Sequence, residues 1–407
     1  MKQINRRSFI QKSLLSSAGS IILPGFVKAM NYDSIFNKGN VRNKKLIIIQ
    51  LSGGNDGLNM LVPYTDPLYY KARPELAIPA NTVLKATNKL GFNPVMKELR
   101  DIYDEGKLCI INNVGYPNPD RSHFRSMDIW QSASDANEYI SSGWIGRYMS
   151  TLPGDLKKPH IAIEVDEKLN LAMKGQGITG IAVRNPKRLH DSLRKGFFRP
   201  LVNAYKNVQT SNSNLNYIYE VMAETVTSAD YIYEKSKSTD NSNQQQYPAG
   251  RFSENLSTIA KMIRSGLSTK VYYTSLDGFD THVRQSQQQD RLLKEYTEGV
   301  AALVKDLEQD HLLEDVLILT FSEFGRRVAQ NASGGTDHGC ANNLLLIGGN
   351  LKESGFYNED PDLKNLENGD LKYTVDFRSV YATILEKFLD SPFVPVLGQK
   401  FPLLDFI

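Results

Sequence analysis

The sequence predicts an α/β fold in which a largely parallel sheet is flanked by helices. Short apolar runs rich in β-branched residues recur along the chain, as they do in strands buried on both faces of a parallel sheet. Between these runs, apolar residues repeat every three or four positions, which is the pattern of helices that pack one face on a sheet. Alternation of the two patterns is typical of doubly wound α/β folds.

The strands are predicted where the apolar runs are shortest and most β-branched. The first of them, KLIIIQL, is apolar over nearly its whole length and is bounded by the glycines of SGG. A run of this kind is too short for a helix that packs along a sheet. The predicted strands cover residues 45–51, 108–114, 161–165, 270–275, 316–321 and 343–347.

The helices are predicted from stripes of apolar residues at helical spacing. The longest stripe runs from Leu292 to Leu307, and the last runs from Phe377 to Phe388 with Asp376 as its predicted N-cap. A shorter stripe contains Val95, Leu99, Ile102 and Tyr103. A tyrosine-containing helix at about 215–234 lies in a polar segment, about 205–248, which we interpret as an insertion.

Charge and cysteine content exclude several classes of protein. The 407 residues include 48 basic and 45 acidic ones, and a net charge of +3 argues against binding nucleic acid. Two cysteines cannot form a disulfide framework. Cys109 is predicted to be buried in a strand, and Cys340 to lie beside a candidate site. A single disulfide between them is the alternative.

The N-terminus resembles a twin-arginine export signal. Asn5-Arg6-Arg7-Ser8-Phe9-Ile10 precedes a moderately apolar stretch at 14–27 and a small-residue cleavage pattern at 27–29. The interpretation is a signal at 1–29 and a mature domain at 30–407, carried by the twin-arginine machinery to the periplasm or beyond. An uncleaved anchor is the alternative. No later segment has the roughly 18 apolar residues of a membrane span.

Acidic side chains and histidines follow several of the predicted strands. Functional groups of open α/β sheets gather beyond the carboxyl ends of the strands, so these side chains are expected at one edge. Carboxylate and imidazole together bind divalent metal ions in hydrolytic centres. The candidate metal ligands are Asp56, Asp277, Asp280, His282, Glu323, Asp337 and His338.

A further candidate segment, PDRSHFRSMDIW, follows the predicted strand at 108–114 and leads into a helix. Ser122 at the start of that helix is either a nucleophile or anion binder, or simply a helix cap. Arg121 and Arg125 favour an anionic substrate, since guanidinium groups pair with phosphate or sulfate. His123 is a ligand, an acid–base group or a packed core histidine.

Taken together, these motifs resemble the DUF1501 family of exported bacterial proteins, within the alkaline phosphatase-like superfamily. The resemblance runs from about residue 45 to near the C-terminus. The superfamily implies a sheet flanked by helices and two divalent metals beside a Ser, Thr or Cys nucleophile. The motifs that carry it are LSGGNDGLN, RSHFRSMDIWQS, GWIGRY, LDGFDTH, FSEFGRR, GGTDHG and TVDFRSVYATIL.

The resemblance transfers some superfamily roles to the first half of these motifs. Asp56 stands at the place of the strand-end aspartate that binds one metal, and Ser122 at the place of the nucleophile. Asp280 and His282 are similar to the aspartate and histidine of the other metal, although the usual three-residue gap between them is absent. Asp277 is the alternative partner.

The transfer is less complete in the later motifs. Glu323 stands where the superfamily has the aspartate of an Asp-His pair, and Phe324 replaces its histidine. His338, with Asp337, resembles the final histidine ligand. The resemblance therefore implies one metal or an altered pair, with zinc, manganese, iron or calcium as the ion.

The resulting hypothesis is an exported metal-dependent hydrolase of a small phosphate or sulfate ester. Ser122 would attack the ester, and Arg121, Arg125 or Arg326 would stabilise the developing charge. The first alternative is a non-catalytic exported binding or assembly protein with a degenerate metal site. The second is that the acidic and histidine motifs anchor loops by hydrogen bonding to the backbone.

Overall fold

A computed structural model of the chain describes residues 43–195, 198–205, 213–237 and 245–407. The predicted signal at 1–29 and parts of the predicted insertion lie outside these ranges. Within them, the chain forms the predicted mixed α/β fold, with a central, largely parallel sheet flanked by helices.

The strands form one large sheet and one small sheet. The small sheet is antiparallel and has the order β2-β4-β3, while the other strands belong to the large sheet. In chain order the strands are β1 (Lys45–Ser52), β2 (Leu61–Val62), β3 (Leu84–Lys85), β4 (Gly91–Phe92), β5 (Leu108–Gly115), β6 (Ala162–Glu164), β7 (Ile181–Ala182), β8 (Val271–Asp277), β9 (Val316–Phe321), β10 (Asn342–Gly348), β11 (Gly355–Phe356) and β12 (Val375–Asp376).

The helices lie between the strands, and no helix in the described ranges combines the length and apolar character that crossing a membrane requires. In chain order they are α1 (Gly57–Met60), α2 (Pro67–Ala72), α3 (Lys97–Asp104), α4 (His123–Ser132), α5 (Trp144–Thr151), α6 (Pro186–Lys195), α7 (Phe198–Tyr205), α8 (Ser213–Lys237), α9 (Arg251–Arg264), α10 (Gln285–Gln309), α11 (Phe377–Thr383) and α12 (Val394–Leu397).

The order of the large sheet brings the ends of several strands to one edge. Its order is β11-β5-β10-β9-β1-β8-β6-β7, with β12 also paired to β5. Strand β1 is parallel to β8 and β9, whereas β10 is antiparallel to β9 and β5. Strands β1, β5, β8 and β9 therefore end at the same edge, and β10 begins there. The loop from β9 to β10 is confined to that edge.

Alternate side chains of β1 build the two sides of the core. Ile47, Ile49 and Leu51 pack with the apolar stripe of α10, and Leu46 and Ile48 pack with the aromatic residues of α4, α5 and α11. This alternation is a consequence of the two-residue period of a strand. Burial on both faces explains why the sequence of β1 is almost continuously apolar.

Local signals account for most boundaries, with two differences. Asp376 caps α11 as predicted, since its side chain accepts a hydrogen bond of 2.9 Å from the Arg378 N–H. The predicted helix at 377–388 changes after Thr383 into a π-helix, Ile384–Phe388. Strand β6 is shorter than predicted because a 3-10 turn that begins at Pro159 occupies its first position.

Candidate metal centre

Three loops at this edge of the sheet bring a carboxylate and three imidazoles together. Asp280 and His282 follow β8, His123 begins α4 after β5, and His338 lies in the loop from β9 to β10. Asp280 Oδ1 is 3.3 Å from His123 Nε2, 3.1 Å from His282 Nε2 and 3.2 Å from His338 Nε2. A single carboxylate oxygen is thus surrounded by three imidazole nitrogens.

The donor set fits a metal ion. Among the described residues, His123, Asp280 and His338 form a group whose ligand atoms all lie within 4.8 Å of one another. His282 adjoins the group, with its Nε2 atom 2.8 Å from His338 Nε2. Imidazole nitrogens with one carboxylate are a ligand set of zinc, manganese or iron, whereas calcium prefers oxygen ligands alone.

In each of the three histidines, the hydrogen bond of Nδ1, on the outer side of the ring, determines whether Nε2, which faces Asp280, carries a hydrogen or a lone pair. Each Nδ1 lies beside a carboxylate or a carbonyl, which can only accept, so each Nδ1 carries its hydrogen. In a neutral ring, Nε2 is then a lone pair directed at the centre, as in metal-binding histidines. The outer partners are Glu323 Oε1 at 3.0 Å from His123, Asp337 Oδ1 at 3.3 Å from His282 and the Arg121 carbonyl at 2.7 Å from His338.

The atoms that face one another at the centre are electron-rich, and Arg326 Nη2 donates to one of them, Asp280 Oδ1, at 2.9 Å. His123 Nε2 is buried and has no hydrogen-bond partner in the described part of the chain. The Nε2 atoms of His282 and His338 face each other at 2.8 Å, and both face the acceptor oxygen of Asp280. Lone pairs at this distance repel unless a positive ion lies between them. The observed geometry therefore fits a bound cation.

Charges around the centre also favour a cation. Burial acts to raise the pKa of Asp280, but the hydrogen bond from the Arg326 guanidinium and the close approach of the His338 ring lower that pKa to about 2. Burial lowers the pKa of His338, which keeps its ring neutral at pH 7. The hydrogen bond with Glu323 raises the pKa of His123, despite the opposing effect of burial. Asp280 is consequently an anion beside a neutral imidazole.

Glu323 acts as the outer partner of His123. Its side chain is only 1% exposed, and Oε1 also accepts a hydrogen bond of 2.8 Å from the Gly53 N–H. The hydroxyl of Ser322 lies 3.3 Å from the other oxygen. These bonds hold the carboxylate in one orientation, which in turn orients the imidazole.

Phe324 and two glycines shape the floor of the centre. The Phe324 ring lies 5.0 Å from the His123 ring and 4.6 Å from the His338 ring, so it packs beneath both. Gly54 has φ +75°, and a Cβ atom there would meet this ring. Gly53 has φ +117°, and a Cβ atom there would meet the backbone N of Asp280. The Gly-Gly pair thus permits the close approach of three loops.

Arg326 clamps these loops together. Its side chain is fully buried and donates to the carbonyls of Gly54 at 2.6 Å, Thr336 at 2.8 Å and Phe279 at 2.9 Å. It also donates to the Gly53 carbonyl and, at 2.9 Å, to Asp280 Oδ1. All three guanidinium nitrogens are engaged.

Shortening this clamp should cost stability. In Arg326→Lys, one ammonium cannot reach carbonyls on three loops, and buried acceptors would lose their donors. We expect the free energy of unfolding to fall by about 3 kcal/mol. Urea unfolding measures the change, and Arg327→Lys is the matched control because the Arg327 side chain donates an exposed hydrogen bond of 3.3 Å to the Asn368 carbonyl. Equal losses in the two variants would contradict the clamp.

Ser122 borders the centre at the N-terminus of α4. It is exposed, and its side chain makes no capping hydrogen bond in the described structure. On either side of it, the Arg121 carbonyl lies 2.7 Å from His338 Nδ1, and the His123 side chain lies 3.3 Å from Asp280. The Ser122 side chain therefore does not take the capping role that the sequence also allowed.

The guanidinium groups of Arg121 and Arg125 are already paired. Arg121 forms an ion pair with Asp370. Arg125 donates to the carbonyls of Asp135 at 3.0 Å and Ala136 at 3.1 Å. Arg326 is engaged in its clamp. All three arginines considered for an anionic substrate therefore make structural contacts within the chain.

Other candidate residues lie outside the cluster. Asp56 is fully buried and forms an ion pair of 2.6 Å with Arg73. Asp277 is exposed at the end of β8. Cys109 is buried in β5 and Cys340 is partly buried, and both are free thiols.

Sequence reasoning missed the residues that surround Asp56. Arg73 pairs with it, and Gln285 links it to the β9–β10 loop by donating to Asp56 and accepting from the Thr336 hydroxyl at 2.6 Å. Nothing in the local sequence marks these side chains. The only available signal was a strand-end aspartate without a nearby basic residue, which requires a distant partner once it is buried.

Comparison with solved structures finds proteins of similar fold. The C-terminal periplasmic domain of EcEptC from Escherichia coli, in complex with zinc, is 11% identical, with a TM-score of 0.37 over 77% of this chain and 74% of that chain. A sulfatase from Pseudoalteromonas sp. is 11% identical, with a TM-score of 0.37 over 89% and 70%. A phosphonate monoester hydrolase from Silicibacter pomeroyi is 7% identical, with a TM-score of 0.37 over 88% and 74%.

Comparison with sequence families is more specific. No curated protein matches the chain significantly. A family model described as a protein of unknown function, DUF1501, matches residues 106–403, which is well over half of the 407 residues. The match includes α4 and the loops that carry Asp280, His282 and His338. The chain therefore belongs to the DUF1501 family.

Proposed function

We propose that this protein is a metal-dependent hydrolase that acts on a small phosphate or sulfate ester. The observation that supports the proposal is the convergence of three imidazole Nε2 atoms on Asp280 Oδ1. His123, Asp280 and His338 would hold the ion, with His282 beside them. A divalent ion bound there acts as a Lewis acid that polarises the ester and favours a deprotonated nucleophile.

Ser122 is the proposed nucleophile. Its hydroxyl lies at the N-terminus of α4, where the first N–H groups of the helix have no intrahelical partner and attract anions. Ser122 Oγ would bond to the phosphorus or sulfur atom while the ester oxygen leaves with a proton, and water would then release the anion. The helix terminus takes over the charge-stabilising role first considered for Arg121, Arg125 and Arg326.

A second candidate function is metal or anion binding without turnover, in an exported binding or assembly protein. The specific observation in its favour is that those three arginines are already paired. A site without a mobile guanidinium stabilises the charge that develops during ester cleavage less well than one that has it.

Elemental analysis of the purified protein, combined with a screen of 4-nitrophenyl phosphate and sulfate esters, separates the two functions. We expect stoichiometric zinc, manganese or iron, and turnover that a chelator abolishes and the same metal restores. Bound metal without turnover of any ester favours the binding protein. A chain that neither contains nor takes up metal contradicts the hydrolase and favours anion binding without turnover.

We also propose that the protein is exported in a folded state. The proposal is supported by the Asn5-Arg6-Arg7-Ser8-Phe9-Ile10 motif, which lies outside the described residues. Replacing Arg6 and Arg7 with lysines should retain the protein in the cytoplasm, as cell fractionation would detect. Unchanged export of this variant would contradict the twin-arginine route.

A further inference from the structure

Asp56 is enclosed in an ion pair. Its Oδ2 atom lies 2.6 Å from Arg73 Nη1, and the side chains of Arg73 and Asp56 are 0% and 1% exposed. The same oxygen accepts a hydrogen bond from Gln285. A buried carboxylate requires a positive partner, and the guanidinium of Arg73 is that partner.

Arg73 is held in place by the surrounding chain. Its Nε atom donates to the Val328 carbonyl at 2.9 Å, and Nη2 donates to the Arg327 carbonyl at 3.0 Å. Nη1 is shared between Asp56 and the side-chain oxygen of Asn59, which is 2.8 Å away. Because every nitrogen of the guanidinium has an acceptor, displacing Arg73 to admit a metal ion would break several buried hydrogen bonds.

The surroundings of Asp56 do not supply the ligands of a metal ion. Asp56 is not a member of any described group of three or more His, Cys, Asp or Glu side chains whose ligand atoms lie within 4.8 Å. Its second oxygen, Oδ1, is buried and lacks a hydrogen-bond partner among the described residues, but it is a single ligand atom. A divalent ion there would also be repelled by the neighbouring guanidinium, with no water to screen the repulsion.

The superfamily that the chain resembles implies two metal ions, one of them on Asp56, and the residues around Asp56 do not fit an ion there. We propose that the chain binds a single divalent ion, and this proposal rests on the metal centre of the proposed function. In this arrangement, Arg73 is the internal cation that neutralises Asp56. Asp56 is then a structural residue, and the ion would be held by His123, Asp280 and His338, with His282 beside them.

Counting bound metal in three full-length proteins tests this proposal. The wild type, Asp56→Asn and Asp280→Asn are stripped with a chelator, titrated with zinc by calorimetry and analysed for zinc after dialysis. We expect one zinc per chain in the wild type and one in Asp56→Asn, because asparagine keeps the shape of the side chain at a site that binds no metal. Asp280→Asn should retain less than a tenth of the zinc of the wild type under the same conditions.

The proposal would be overturned if the wild type bound two zinc ions per chain and Asp56→Asn bound one. It would also be overturned if the wild type bound no zinc. If Asp56→Asn fails to fold because Arg73 is left unpaired, the double variant Asp56→Asn, Arg73→Met removes both charges and should also bind one zinc. Loss of zinc by a folded double variant would overturn the proposal. One zinc per chain without ester turnover would support the single-ion centre while contradicting the hydrolase.

Discussion

Asp280→Asn is expected to abolish turnover because it removes the carboxylate on which the three imidazole nitrogens converge. The amide keeps the size of the side chain but loses the charge that attracts the metal. We expect the affinity for the ion to fall by more than the roughly 10–100-fold that loss of an outer hydrogen-bond partner costs. Metal titration by calorimetry and ester turnover measure the two effects.

Asp277→Asn is the matched control for this substitution. Asp277 lies three positions earlier and is exposed at the end of β8, outside the group around Asp280. We expect it to bind metal as the wild type does. Glu323→Gln should be intermediate, within the roughly 10–100-fold range, because Glu323 orients His123 without facing the centre. If Asp277→Asn lost metal while Asp280→Asn kept it, the assignment of the ligands would be wrong.

Ser122→Ala is expected to separate chemistry from metal binding. Removal of the hydroxyl leaves the imidazoles and Asp280 in place, so the metal content should be unchanged. Turnover should fall by at least about 10³-fold, since loss of a serine nucleophile costs this much or more in hydrolases that use one. Stopped assays of 4-nitrophenyl ester cleavage, together with elemental analysis of the same sample, give both quantities.

Ser141→Ala is a suitable control because Ser141 is exposed and lies in the loop before α5. It should retain the turnover of the wild type. Mass spectrometry of the wild type mixed with substrate should also find a phosphorylated or sulfated peptide that contains Ser122. Full activity of Ser122→Ala would contradict the nucleophile, and would instead indicate direct attack by water.

Much of the fold could be predicted because its signals are local. The strand that became β1 is a continuous apolar run, the stripe on α10 repeats at helical spacing, and Asp376 caps α11 as predicted. The gathering of candidate residues at one sheet edge also followed, since parallel strands end on the same side. The antiparallel direction of β10 depends on pairing with two strands that are distant in sequence, and no direction was predicted for it.

Residue types near the strand ends marked the segments that meet at this edge, but the predicted ligands included Asp56, Asp277 and Glu323 and left the role of His123 open. Their roles were decided by tertiary contacts. Asp280 lies among the Nε2 atoms of the imidazoles, whereas Glu323 and Asp337 lie on the outer side, beside the Nδ1 atoms of His123 and His282. Asp56 pairs with Arg73. A sequence records which groups a loop carries, but whether a carboxylate faces a metal, an imidazole or a guanidinium depends on which other loops reach it when the chain folds.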